Sequence, residues 1–206
     1  MNAHCTANVR LLCCSVLQLE MQTLRAQYWP NLELGFLSSM LHMQPEKLGK
    51  SIKNRLSLSE GTEARKTLLV YGDCCPTMTE LQEKPGMLRV SCNNCCELLL
   101  GRAQFRQLAR AGAFFLIPEW ARRWRSVFAG ELGLDAETAR CLMRDMQTKL
   151  LYLDTQLVDV PIDDLEDFSA YCGLPWEVMP LTLNELRNAI EEALNRFQTD
   201  STATCR

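Results

Sequence analysis

Val9-Arg10-Leu11-Leu12-Cys13-Cys14, running directly into Ser15-Val16-Leu17-Gln18-Leu19-Glu20-Met21-Gln22-Thr23-Leu24, decides the fold class. The first part, from Val9 to Cys13, is a short and nearly unbroken apolar run. A strand covered by helices on both faces of a parallel sheet reads this way, rather than as strict alternation. In the second part Val16, Leu17, Met21 and Leu24 recur at the period of a helix with one buried face. The run Leu11–Leu17 is too short, and too soon followed by Gln18 and Glu20, to be the centre of a secretion signal. Leu12 also stands where a lipoprotein box needs a small residue. A strand followed at once by a helix is the opening of a β-α-β unit.

The same alternation continues along the chain. Strands are expected at Val9–Cys13, Leu32–Leu37, Thr67–Tyr71, Met87–Val90, Ala113–Ile117, Lys149–Leu153 and Glu177–Met179. Helical spacing lies between them at Leu48, Ile52 and Leu56, at Leu165 and Phe168, and at Leu183, Leu186, Ile190 and Leu194. Pro45 suits the first turn of a helix, where its missing N–H costs nothing. The expected fold is α/β, three-layered, with a mostly parallel sheet and helices on both faces, in the Rossmann-like topology class. Residues 9–197 read as a single α/β domain, between a loose N-terminus (1–8) and a loose C-terminal tail (198–206). A weak seam near Gly130–Asp135 reads as the middle of that domain.

The chain has 206 residues, 47% of them hydrophobic, with 22 Lys+Arg against 25 Asp+Glu and a formal net charge of −3. That size supports a substantial core, and the balance of charge gives no global footprint for nucleic acid. The longest unbroken apolar stretch, Ala113–Pro118, is far shorter than the ~20 residues of a spanning helix. No membrane and no nucleic-acid partner are expected. The eleven cysteines are an odd number and so cannot all pair with one another. Without an export signal, thiols at this density read as buried, catalytic or metal-bound in a reducing, cytoplasmic setting.

Their positions carry the strongest functional signal. Cys13-Cys14 closes the first strand, Cys74-Cys75 follows the third, and Cys92, Cys95 and Cys96 follow the fourth. In an open α/β sheet the ligand crevice lies outside the carboxyl ends of the strands, so these loops meet at one mouth. His42, in the segment after the second strand, reaches the same edge and offers an imidazole ligand. Thiolates with an imidazole suit zinc, an iron–sulfur cluster or the metal of a corrinoid. Candidate metal ligands are therefore Cys14, His42, Cys74, Cys92 and Cys95. A Cys-x-x-Cys pair equally suits thiol redox chemistry, and one member of each adjacent doublet can point into the core. As nucleophiles, Cys74 and Cys95 are the candidates.

Other chemistries lack their signatures. The loop Tyr71-Gly72-Asp73-Cys74-Cys75-Pro76 has one glycine and is no phosphate loop, and there is no nucleophile elbow. Arg102, Arg106 and Arg110 fall on one helical face, with Arg122, Arg123 and Arg125 following. They form a local basic patch for a phosphate-bearing ligand tail or an acidic partner surface, with Arg102 and Arg106 as the cofactor-binding candidates.

Read together, these loops resemble the bacterial and archaeal family catalogued as domain of unknown function 1638. The resemblance rests on Cys14 closing the first strand, on Leu41 and His42 followed by Pro45–Leu48, and on Tyr71, Gly72 and Cys74. It continues through Cys95, Leu98, Leu99, Leu100 and Gly101 to Phe114, Phe115 and Trp120, and covers roughly residues 10 to 190. The family has Asp where this chain has Asn94, and Gly where it has Glu119. The first departure removes a charge from the expected site. The resemblance implies a site on Cys14, His42, Cys74 and Cys95, and a role as accessory to corrinoid-dependent methyl transfer, with a methyltransferase or corrinoid protein as partner.

Three functions are thus expected in competition. One is a cytoplasmic metal- or metallocofactor-binding protein (iron–sulfur cluster, zinc or corrinoid) serving one-carbon metabolism or metallocofactor assembly. The second is a thiol-dependent enzyme that transfers a methyl or other group through Cys74 or Cys95. The third is a non-catalytic interaction module.

Overall fold

The structure, a computed structural model, describes residues 9–57 and 66–203. The segment 1–8 and residues 204–206, which hold Cys5 and Cys205, lie outside the described residues. All seven expected strands are present, and their bounds differ from the expected ones by a residue or two. Where the sequence reading expects one sheet in one domain over 9–197, the strands divide between two parallel sheets. The chain gathers into two compact units, one running to Leu98 and resuming at Leu183, the other Leu99–Thr182.

The first unit holds β1 (Val9–Cys14), β2 (Glu33–Leu37), β3 (Lys66–Val70) and β4 (Met87–Arg89), in the order β2-β1-β3-β4 and all parallel. Every residue of β1 is buried, which explains a run that is apolar but for Arg10. Leu12 pairs with Gly35 on one side and Leu69 on the other. The connecting helices are α1 (Gln18–Tyr28), α2 (Pro45–Ser57), α3 (Met78–Gln82) and α4 (Cys95–Leu100). Met21 and Leu24 turn the buried face of α1 inward, and Leu48 and Ile52 do so for α2.

The second unit holds β5 (Ala113–Leu116), β6 (Lys149–Asp154) and β7 (Trp176–Pro180), parallel and in that order. Its helices are α5 (Arg102–Arg110), α6 (Pro118–Arg122), α7 (Ala136–Met146) and α8 (Ile162–Cys172). Phe168 of α8 is the hub of an aromatic core, stacked on Trp124 at 4.9 Å and edge-on to Phe128 at 4.7 Å between ring centroids. The expected seam at Gly130–Asp135 is interior to this unit. There Asp135 caps α7, its Oδ1 accepting the N–H of Thr138 at 2.8 Å.

The last helix, α9 (Asn184–Ala203), returns to the first unit. The Lys66 ammonium donates to the Phe197 carbonyl at 2.8 Å and lies over its ring. The backbone from 198 to 203, part of the stretch read as a loose tail, is helical. Among the described residues no helix is long and apolar enough to cross a membrane.

Leu11 is wholly buried at the centre of β1, whereas Leu142 on α7 is 46% exposed. Leu11→Ala should therefore cost about 2–5 kcal/mol of unfolding free energy. Leu142→Ala should stay within about 0.5 kcal/mol. Denaturant titration followed by circular dichroism checks both.

Candidate functional site

The order β2-β1-β3-β4 runs outward from β1 in two directions. A sheet of this kind opens a crevice at the carboxyl ends of its strands where the order reverses. A pocket lies there, with about 230 Å³ of free space counted out to solvent. It is lined by Cys14, His42, Tyr71, Cys74 and Cys95, with Gly72 in its wall and Leu17, Val70 and Leu98 as apolar sides.

Each side chain arrives by a local device. Cys14 is the last residue of β1 and caps a short 3-10 turn, Ser15–Leu17. Alternation along the strand sends Cys14 to the pocket and leaves Cys13 wholly buried, so that burial first and the neighbouring Cys14 second push the Cys13 thiol well up. Ser15 Oγ accepts the Ser39 N–H at 2.9 Å and ties the end of β1 to the segment after β2. That segment is a second 3-10 turn, Ser39–Met43, with Ser38 as its cap, and it carries His42. His42 Nδ1 lies 3.0 Å from the Ser39 carbonyl and 3.8 Å from Cys14 Sγ. A carbonyl oxygen only accepts, so Nδ1 carries the proton and the lone pair of the neutral ring is on Nε2.

Gly72 sets the approach of the next two loops. A Cβ on it would stand 2.1 Å from the Asn93 carbonyl oxygen and 2.6 Å from the Asn94 nitrogen. Only glycine allows this contact, and Asp73 N–H closes it by donating to the Asn93 carbonyl at 2.9 Å. The loop carrying Cys74 is thereby held against the loop carrying Cys92 and Cys95. The Asp73 carboxylate beside Cys74 receives Arg89 Nη1 at 2.6 Å. Cys75 turns the other way, its sulfur 3.5 Å from Thr77 Oγ1, beside Gly49 of α2.

Asn94 is a helix cap. Its Oδ1 accepts the Glu97 N–H at 2.9 Å, and the buried Glu97 carboxylate accepts the Asn93 N–H at 3.0 Å, a reciprocal arrangement that starts α4 at Cys95. Asp and Asn serve equally well there. Asn94, where the resemblance implies an Asp, thus stands at a helix cap and is not among the pocket residues.

The thiols differ electrostatically. Burial, and then the neighbouring Cys95, pushes Cys74 up to about 11. Burial, then Cys74 and Glu97, pushes Cys92 up to about 12. Cys95 is lowered, first by a hydrogen bond from Cys96 and then by the backbone N–H groups at the start of α4. The structure thus brings together Cys14, His42, Cys74 and Cys95, while Cys92 is buried and is not among the pocket residues. Arg102 and Arg106 stand exposed on α5, in the other compact unit, and are not among the pocket residues.

The donor set suits a soft metal, but its spacing does not. Among the described residues no three His, Cys, Asp or Glu side chains stand close enough to hold a metal ion. As placed, they form no ready-made centre for zinc or an iron–sulfur cluster, and the pocket is too small to enclose a corrinoid ring. Tyr71 is the residue that sequence reasoning passed over. It appears there only as part of a motif, although a tyrosine directly after a buried strand and one residue before an obligatory glycine is a readable signal.

Two measurements follow. Gly72→Ala should cost about 3 kcal/mol by forcing backbone apart, and should speed the reaction of buried Cys92 with Ellman's reagent. The raised thiols set an alkaline limit: unfolded, Cys74 and Cys92 ionise near 9, whereas folded they hold their protons to about 11 and 12. Their contribution is fully present below pH 9 and is lost as pH rises toward 12, because the folded state there binds more protons. Melting temperature should fall over that window, and less steeply when Cys74 and Cys92 are both changed to Ala.

No curated protein and no solved structure matches the chain. A family model does, over residues 36–190, a span that opens after Cys14 and takes in His42, Tyr71, Gly72, Cys74, Cys92 and Cys95. The chain belongs to the family described as protein of unknown function, DUF1638.

Proposed function

We propose that this is a thiol-dependent binding or group-transfer protein that works at the switch-point pocket, with Cys95 as the sulfur that attacks a small, soft electrophile. The observation that carries the reading is the pocket itself: three thiols, an imidazole and a phenol, delivered by four separate segments, line one small space at the carboxyl edge of the sheet. Of the two candidate nucleophiles Cys95 is the better. It is half-buried and lowered by hydrogen bonds to its sulfur, whereas Cys74 keeps its proton to about 11. In the reaction the Cys95 Sγ–C bond forms, and the bond to the leaving group breaks with its electron pair. The Cys95 sulfur enters the step as the thiolate, so the leaving group departs as its anion and no proton changes hands.

The second reading is a soft metal ion or cluster carried by Cys14, His42, Cys74, Cys92 and Cys95. The chemistry of the donor set favours it. It requires the side chains to close from their present positions, since no three stand at coordinating separation among the described residues. The methyl-transfer setting implied by the family resemblance fits the first reading, because an activated methyl group is a soft electrophile. A methyltransferase or corrinoid protein would be the partner, and the arginine face of α5, with Arg102 and Arg106, would meet its acidic surface. A reducing, cytoplasmic location belongs to this proposal and is supported by the free thiols of the described residues.

Limiting iodoacetamide followed by peptide mass spectrometry tests the nucleophile. Cys95 should be alkylated ahead of the exposed Cys141, with a pH midpoint below the ordinary thiol value. Cys96→Ala should raise that midpoint by removing the donor. Cys141 reacting first would sink the thiolate assignment. Stoichiometric zinc or iron in anaerobically purified protein, lost in Cys14→Ser, Cys74→Ser and Cys95→Ser, would put the metal reading in its place.

A further inference from the structure

Two of the pocket sulfurs are set apart by where their loops are fixed. Cys74 and Cys95 both line the pocket and both are half-buried, so a small reagent can reach them. Cys14 lines it too, but is 4% exposed and has His42 Nδ1 3.8 Å from its sulfur. Cys92, the other member of the Cys-x-x-Cys pair, is buried and outside the pocket lining. Cys96 is the chain neighbour of Cys95, and consecutive Cα atoms lie about 3.8 Å apart, less than the roughly 4.4 Å that an unstrained disulfide spans. The loops that carry Cys74 and Cys95 are clamped to one another. Gly72 stands so close to Asn93 that a Cβ on it would fall 2.1 Å from the Asn93 carbonyl oxygen, and that same oxygen accepts the Asp73 N–H at 2.9 Å. Cys74 lies two residues beyond this contact in one loop, and Cys95 two residues beyond it in the other. Each is then held on its far side, Cys74 by the Asp73–Arg89 ion pair at 2.6 Å and Cys95 by the Asn94 cap of α4.

We propose that Cys74 and Cys95 form a reversible disulfide across the pocket, a redox switch that takes the site out of use. A metal centre needs three or four donors gathered at once, and among the described residues no three stand so; a disulfide needs only two sulfurs. The co-reactant is a low-molecular-weight disulfide such as oxidised glutathione. One of the two sulfurs attacks it, a mixed disulfide forms and one small thiol leaves. The other sulfur then displaces the second small thiol and closes the Cys74–Cys95 bond. The two cysteines give up two electrons and two protons, and the small disulfide takes them up as two thiols. Excess thiol runs the same steps backwards. In a reducing setting the pair rests as free thiols, as it stands in this structure, and it closes when the pool of small disulfides rises. The switch goes beyond the reading of Cys95 as an attacking sulfur and does not depend on it. With its sulfur in the bond, Cys95 can neither attack an electrophile nor ligate a metal.

The test equilibrates the full chain in glutathione buffers of rising oxidised-to-reduced ratio, quenches with acid, blocks the remaining thiols in denaturant and maps the digest by mass spectrometry without reduction. A cross-linked pair of peptides carrying Cys74 and Cys95 should appear, free thiols should fall by two per chain, and dithiothreitol should restore both. Labelling of Cys95 by iodoacetamide should be lost in step with the bond. Cys74→Ser should abolish the internal bond and leave Cys95 as a mixed disulfide with glutathione, whereas Cys141→Ser should leave the bond unchanged. A predominant bond from Cys95 to Cys92 or to Cys14 overturns the proposal, and so do glutathione adducts with no internal bond. The map of the unaltered chain decides between these outcomes even where a variant does not fold. Absence of the bond in a chain whose Cys95 is alkylated ahead of Cys141 removes the switch and leaves the nucleophile. Cys141 alkylated first in a chain that forms the bond removes the nucleophile and leaves the switch.

Discussion

The first unit depends on the two-sided pairing of β1. All six of its residues are buried, and it forms parallel ladders with β2 on one edge and β3 on the other. A strand so placed has no edge or face to offer water, so its side chains are apolar almost without exception, and its chemistry is confined to its end. Because the connections leave β1 in opposite directions, the segments after β1, β2 and β3 diverge from a common point, and the pocket opens between them. The location of the site is thus a consequence of sheet order.

Within that frame the cysteines are sorted by short-range geometry. Cys13 and Cys14 are separated by strand alternation, Cys74 and Cys75 by the turn beside Gly49, and Cys95 and Cys96 by the start of α4. One sulfur of each doublet reaches the pocket. Gly72 contributes by lacking a side chain, since two backbones touch where its Cβ would be. Glu97 and Asn94 contribute through the helix cap that aims Cys95. The pocket in turn gathers groups that a purely structural core would avoid: thiols that raise one another's pKa and a phenol without a partner. Sites where several local rules are broken together are where function is expected.

The second unit shows the same sheet logic with a different filling. Phe168, Trp124 and Phe128 pack its core with aromatic rings, and its polar segments make caps and surface ion pairs such as Arg125–Asp167. Arg106 and Arg110 of α5 stand exposed. They belong to a helix whose residues are none of them buried, with arginine at every fourth position.

Much of this was legible in the sequence. Seven strands, their parallel class, and the gathering of Cys14, His42, Cys74 and Cys95 at one edge follow from apolar runs, helical period and the rule that loops after parallel strands share a side. These are local properties plus one topological regularity. The division into two sheets was not legible, because pairing partners far apart in sequence leave no local trace: β5 pairs with β6 across α6 and α7, and nothing in either run forbids β4 instead. Nor were the separations among the sulfurs or the loneliness of the Tyr71 hydroxyl, since both are differences of an ångström or two set by packing. The sequence by itself determined which chemical groups stand at the carboxyl edge, because period and strand order are written in residue type. Only the tertiary structure decided that those groups line one pocket with no ready-made metal centre among the described residues, and that the Tyr71 hydroxyl is buried without a partner, because hydrogen bonding and coordination depend on distances that residue type does not encode.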